Sequence, residues 1–151
     1  MHVRFMDEHD VEIEYWEAHP DPSDDDIAEL CLAWVRYQSG EHDEADEADP
    51  DWWACEAVMD VDRGRPDIEW RIVCGLCAAV DVSDENVVND IGAGPLEDFV
   101  RRQGAGALDL IEPVADDDPV LLDALECVWG WDEPWRLRLD SYLAARGGQT
   151  R

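Results

Sequence analysis

The chain has 151 residues, with 39 acids against 11 arginines, no lysine and a net charge of -28. A surface this negative repels nucleic acid, anionic lipid and phosphate ligands, and it attracts basic partners. The missing lysine excludes Schiff-base and Walker A chemistry, while 46% hydrophobic content and eight tryptophans exclude a disordered acidic tail.

Residues 1–16 alternate apolar and polar: Val3 and Phe5 flank Arg4, and Val11, Ile13 and Tyr15 flank Glu12 and Glu14. Period two predicts a short N-terminal β-hairpin turning through residues 6–10, within an extension over 1–22. Ser23 is a good N-cap, and Asp24, Asp25 and Asp26 suit the positive end of a helix. Ile27, Leu30, Cys31, Trp34 and Val35 make the apolar face of a helix over 24–37, which Gly40 ends. Residues 41–49 (EHDEADEAD) carry six acids in nine positions and read as a solvated, mobile loop. Asp49-Pro50 restarts a helix with Trp52, Cys55, Val58 and Met59 inward. Residues 67–80 are apolar nearly all round, which predicts a central helix.

Further on, Ser83 is expected to cap a short helix through Val87 and Val88. Gly92-Ala93-Gly94-Pro95 reads as a tight turn. Pro95 would start a helix with Leu96, Phe99 and Val100 inward, its first turn satisfied by Glu97 and Asp98. Leu108 and Ile111 begin another helix, which Pro113 kinks or ends. Asp118-Pro119 opens a helix with the stripe Leu121, Leu122, Leu125, Val128 and Trp129. Pro134 opens the last one, with Trp135, Leu139, Tyr142 and Leu143 inward and Gly147-Gly148 at its end. The expectation is a mainly α, single compact domain of about seven helices, its core over 23–146, with a hint of stacked helix pairs.

Chemistry-bearing motifs are weak. Cys74 and Cys77 form a C-x-x-C, but no second ligand pair accompanies them, and all four histidines lie within residues 1–42. Core packing outweighs zinc or redox use, and no metal or cofactor is expected. A cysteine nucleophile needs an electropositive setting, and this chain is electronegative almost throughout. No G-x-S-x-G elbow occurs. Acid clusters precede helices and serve as caps. The five cysteines and the lack of a visible signal or membrane span point to the cytoplasm.

The string Ile91-Gly92-Ala93-Gly94-Pro95-Leu96-Glu97-Asp98, followed by Gly104, Ile111-Glu112, Ala115, Asp118-Pro119, Ala124-Leu125 and Val128-Trp129, resembles an uncharacterised family of small bacterial helical domains. The resemblance covers roughly residues 50–131. It implies an α-helical domain and supplies no catalytic residue.

Charge is uneven: residues 1–51 hold 18 acids against two arginines, whereas four arginines and one acid lie from Pro134 onward. The expected function is a noncatalytic acidic module, immunity- or inhibitor-like, that neutralises a basic protein. Candidate contacts are Glu12, Glu14, Asp24, Asp25, Asp26, Glu41, Asp43, Glu44, Asp46 and Glu47. A DNA mimic and a helical scaffold acidic only for solubility are the alternatives.

Overall fold

The computed structural model describes residues 5–6, 12–13, 15–40, 46–61, 64–130 and 133–146, with side chains from Tyr15 onward. The protein is mainly α. The chain divides into two compact units, Met1–Ala79 (unit 1) and Val80–Arg151 (unit 2).

In unit 1, strands β1 (Phe5–Met6) and β2 (Glu12–Ile13) pair antiparallel, with Phe5 opposite Ile13. Tyr15 does not extend β2. It opens a single helical turn, α1 (Tyr15–Ala18), because its ring is buried between His19 (4.3 Å) and Trp53 (5.5 Å). Trp16 Nε1 donates to the Ala57 carbonyl at 2.8 Å, tying α1 to α3. Helix α2 (Asp24–Ser39) starts where Ser23 predicts. Ser23 Oγ accepts from Asp26 N and Asp26 Oδ2 accepts from Ser23 N, a reciprocal capping box. Ile27, Leu30, Cys31 and Trp34 are buried on its inner face, while Val35 is only half-buried.

Helix α3 (Trp52–Met59) buries Ala54, Cys55, Ala57 and Val58. Met59 is 57% exposed, so the expected stripe is rotated. The octapeptide WWACEAVM is apolar on most sides, and its packing partners α1 and α2 choose which side is covered. Helix α4 (Pro66–Ala79) is the central element expected, packed on α2. Gly75 lets the two helices approach: a Cβ there would lie 2.7 Å from Cys31 Sγ. Cys31 Sγ itself donates to the Ile72 carbonyl.

In unit 2, α5 (Glu85–Ile91) is capped by Asp84, whose carboxylate accepts from Val87 N. Ser83 is not the cap; its own N–H and hydroxyl bond Asp81. Gly92–Leu96 is not a turn. It is a π-helical segment joining α5 directly to α6 (Glu97–Gln103). The flanking Ile91, Gly92, Leu96 and Glu97 all have right-handed helical φ and ψ. In a regular α-helix the Pro95 ring would collide with the Ile91 carbonyl, and the wider π turn removes that collision.

Gly92 is needed for space rather than for bending. A Cβ there would sit 2.1 Å from the Ala124 carbonyl oxygen and 2.7 Å from Cys127 Cβ. The segment thereby lies against α8 (Pro119–Leu125), whose start is fixed by Asp118 accepting from Val120 N and Leu121 N. Between them, α7 (Ala105–Ala115) begins after Gly104, at φ +58°, and ends two residues beyond Pro113. Helix α8 stops at Leu125, so Val128 and Trp129 follow it in irregular chain. Val128 is buried, but Trp129 is 55% exposed and is not part of a buried stripe.

The last helix, α9 (Arg136–Ala145), buries Leu139, Tyr142 and Leu143 as predicted, with Trp135 just before it. It docks on α7 through polar contacts. Arg138 reaches Glu112 and Asp109, and the Tyr142 hydroxyl donates to the Glu112 carbonyl. Phe99, Leu96, Ile91, Leu108, Ile111 and Leu125 form the fully buried centre, each stabilising the fold by about 1.5–3 kcal/mol.

Two glycines of the π segment should respond oppositely to alanine. Gly92→Ala forces a Cβ into the Ala124 carbonyl and should cost about 3 kcal/mol, at the upper end of overpacking penalties. Gly94→Ala meets nothing within 4 Å and should be neutral or stabilise by up to about 1 kcal/mol. Urea unfolding midpoints of the two variants check this.

Candidate functional site

The predicted acidic contacts fall into three groups. Asp24 and Asp26 are occupied locally: Asp24 Oδ1 accepts from Arg71 Nη2 at 2.9 Å, and Asp26 closes the capping box. The Ser23 backbone N–H holds the Asp26 carboxyl below its usual range. Asp46 also has a structural role, since its N–H donates to the Tyr37 hydroxyl at 2.8 Å and its Oδ1 accepts from Ala48 N. Asp25 and Glu47 are exposed and make no ion pair among the described residues. Glu12 lies in β2. Glu14, Glu41, Asp43 and Glu44, and with them the expected mobility of the 41–45 segment, lie outside the described residues.

Asp25 does not stand alone. Glu29 follows it by one helical turn on the outer face of α2, exposed and without an ion pair among the described residues. Leu32, three residues further, is 49% exposed on the same face. An apolar side chain thus sits beyond two carboxylates that make no ion pair among the described residues, a pairing that sequence reading missed because Leu32 looks like a core residue.

Six arginines, by contrast, are paired within the fold. Arg36 forks onto Asp51 through Nε and Nη2 (3.3 and 3.0 Å), and Arg65 does the same on Asp67 (3.2 and 3.1 Å). Arg71 takes Asp24 and the Pro22 carbonyl. Arg136 is buried, with Nη1 on the Val128 carbonyl (2.6 Å) and Nη2 on Asp140 (2.7 Å). Arg138 forks onto Glu112 (3.0 and 3.2 Å) and reaches Asp109 (2.8 Å). Arg146 bonds Asp116 and lies over the Tyr142 ring, 3.5 Å from its centroid. The Arg146 bond, then the Tyr142 hydroxyl, hold the Asp116 carboxyl low, while burial and then Asp116 push Tyr142 up to about 12. Six arginines therefore link residues within a unit, while Asp25, Glu29 and Glu47 are exposed and make no ion pair among the described residues.

The thiols are poorly placed for chemistry. Cys31, Cys55, Cys77 and Cys127 are buried, and no disulfide forms. Burial pushes Cys31 and Cys55 up to about 12, so neither is a thiolate near neutrality. Cys74 and Cys77 sit one turn apart on α4, half-buried and buried. Among the described residues no three His, Cys, Asp or Glu side chains are grouped to hold a metal ion. No helix of the described residues is long and apolar enough to cross a membrane.

The G-A-G-P-L-E-D string has a structural role in unit 2. Glu97 does not serve a helix N-terminus, because α5 and the π segment precede it without a break. Its Oε1 instead accepts from Trp129 N at 2.6 Å, pinning the chain after α8 onto α6. Asp98 is exposed. Cys127 Sγ donates to Asn89 Oδ1 at 3.0 Å, a second tether between the end of α8 and α5.

The chain belongs to a family of unknown function (DUF6869), whose model matches residues 41–141. The expected kinship with an uncharacterised helical family is thereby borne out. No curated protein and no solved structure matches the chain.

Two variants probe these assignments. Glu97→Ala should destabilise the protein by about 1 kcal/mol and accelerate hydrogen exchange at the Trp129 amide above all others. Asp26→Ala should weaken the protein at pH 7. The Asp26 carboxyl is depressed in the folded state, so its contribution is complete above the unfolded carboxylate range and fades as pH falls through the folded value. Urea midpoints of wild type and Asp26→Ala should therefore differ at pH 7 and converge near pH 2.

Proposed function

We propose that this chain is a noncatalytic interaction protein that neutralises a basic protein partner, in the manner of an immunity or inhibitor protein. The observation that carries the reading is the disposition of charge. Arginines with carboxylate partners bind segments of the fold together, while the exposed Asp25, Glu29 and Glu47 make no ion pair among the described residues. Unit 1 is the more acidic, with 23 acids against five arginines, compared with 16 against six in unit 2.

The outer face of α2 gives this field a focus. Asp25 and Glu29 attract a cationic surface from a distance, and Leu32 offers it an apolar anchor at close range. Protonated buried thiols and the lack of lysine support a role without turnover.

Affinity capture on the tagged full chain should retain one stoichiometric basic protein at low salt. In binding kinetics with that protein, the triple change Asp25→Asn, Glu29→Gln and Glu47→Gln should slow association several-fold at 20 mM salt. The gap should close near 0.5 M, where screening shortens the reach of charge to about 4 Å. Unaltered association in the triple variant would sink the α2 assignment. Undiminished biological function after broad neutralisation of the surface would favour acidity serving solubility alone.

A further inference from the structure

Unit 2 gathers three arginines around one opening. An open cleft of about 440 Å³ lies where α6 gives way to α7, walled on the other side by the start of α9. Arg101 and Arg102 come from the last turn of α6, and Arg138 from α9. Glu133 is the one carboxylate among the described lining residues, and Glu97, Asp109 and Glu112 stand behind the wall as the partners of Arg101 and Arg138.

The cleft also collects hydrogen-bond donors. Gly104, at φ +58°, turns the chain so that α7 starts without any side-chain cap. The N–H groups of Ala105, which lines the cleft, and of Gly106 next to it, the first two residues of this 11-residue helix, meet no acceptor among the described residues. Trp135, which lines the cleft, is 5% exposed, and its buried indole Nε1 has no hydrogen-bond acceptor among the described residues. Folded proteins rarely leave such a donor without an acceptor. Arg101 Nε stands 3.8 Å from Glu97, beyond hydrogen-bond reach, and its side chain is 49% exposed. Arg138 is different: its guanidinium is committed to Glu112 and Asp109, so it lends charge and shape to the wall.

From this juxtaposition we infer that the cleft binds a small phosphate monoester with an apolar or aromatic body. A phosphoryl group offers three oxygens to donors that converge from different directions, here the Arg101 fork and the open first turn of α7. Trp135 and Pro134 supply an apolar wall for the organic part. The volume matches small-molecule sites, which span roughly 300–1,000 Å³. The net charge of -28 does not forbid this, because acids farther away than about 8 Å are screened at physiological salt, and of the nearer ones Glu97, Asp109 and Glu112 are paired with Arg101 and Arg138. The inference stands independently of the acidic face of α2, which belongs to unit 1.

The test is a titration of the ¹⁵N-labelled full chain with phenyl phosphate at 150 mM NaCl, with inorganic phosphate and phenol as controls. Saturable shifts are expected at the Ala105 and Gly106 amides and the Trp135 indole N–H. Phenyl phosphate should bind more tightly than inorganic phosphate, and phenol should leave the three signals in place. Arg101→Gln, a change at an exposed side chain, should weaken binding about tenfold. Ala105→Pro deletes one donor at a helix position that accepts proline and should weaken it as well. Absence of saturable shifts at these three groups, or equal affinity in wild type and Arg101→Gln, would overturn the site. Neither result bears on capture of a basic partner through α2.

Discussion

In each unit two helices meet across a missing side chain. Gly75 of α4 faces Cys31 Sγ of α2, and Gly92 faces the Ala124 carbonyl at the end of α8. The second contact governs most of unit 2. Pro95 cannot sit in a regular helix after Ile91, so the backbone widens to a π turn, and the widened segment sets the approach to α8. Glu97 then follows the π turn in position to take the Trp129 N–H, and Cys127 comes beside Asn89. One imino acid and one bare Cα thus fix where α8 ends and where the chain leaves it.

Short-range signals were legible in the sequence. Ser23 and Asp118 cap as their side chains demand, and the inward faces of α2 and α9 follow helical spacing with little deviation. Long-range choices were not legible. A Gly-Ala-Gly-Pro string carries every local mark of a turn, and only contact with α8 holds it helical. Trp129 looked like the next step of a stripe because nothing local announces that α8 stops at Leu125. The buried side of α3 was ambiguous for a related reason, since most of its residues are apolar and the neighbours decide.

The candidate sites divide in the same way. Asp25 and Glu47 are exposed as surface acids should be, whereas Asp24 is held by Arg71, and Asp26 and Asp46 are parts of a cap and a turn. No reading of adjacent residues could bring Arg101 beside Trp135, because they are 34 positions apart in the chain and meet only through the packing of unit 2. The one clue was the clustering of arginine around residues 101–102 and after Pro134, against a background of acid.

The forked arginine contacts carry a last implication, for alkaline solution. A lysine in the place of Arg36, Arg65 or Arg138 would begin to lose its proton near pH 10, and its ion pair with it. Guanidinium keeps its charge well beyond that point, and the carboxylates opposite these three raise their proton affinity further. The electrostatic joints of both units therefore hold at a pH where lysines in the same places would have lost their charge. Strong base instead reaches the Tyr142 hydroxyl, pushed up to about 12, where a new negative charge would face Asp116.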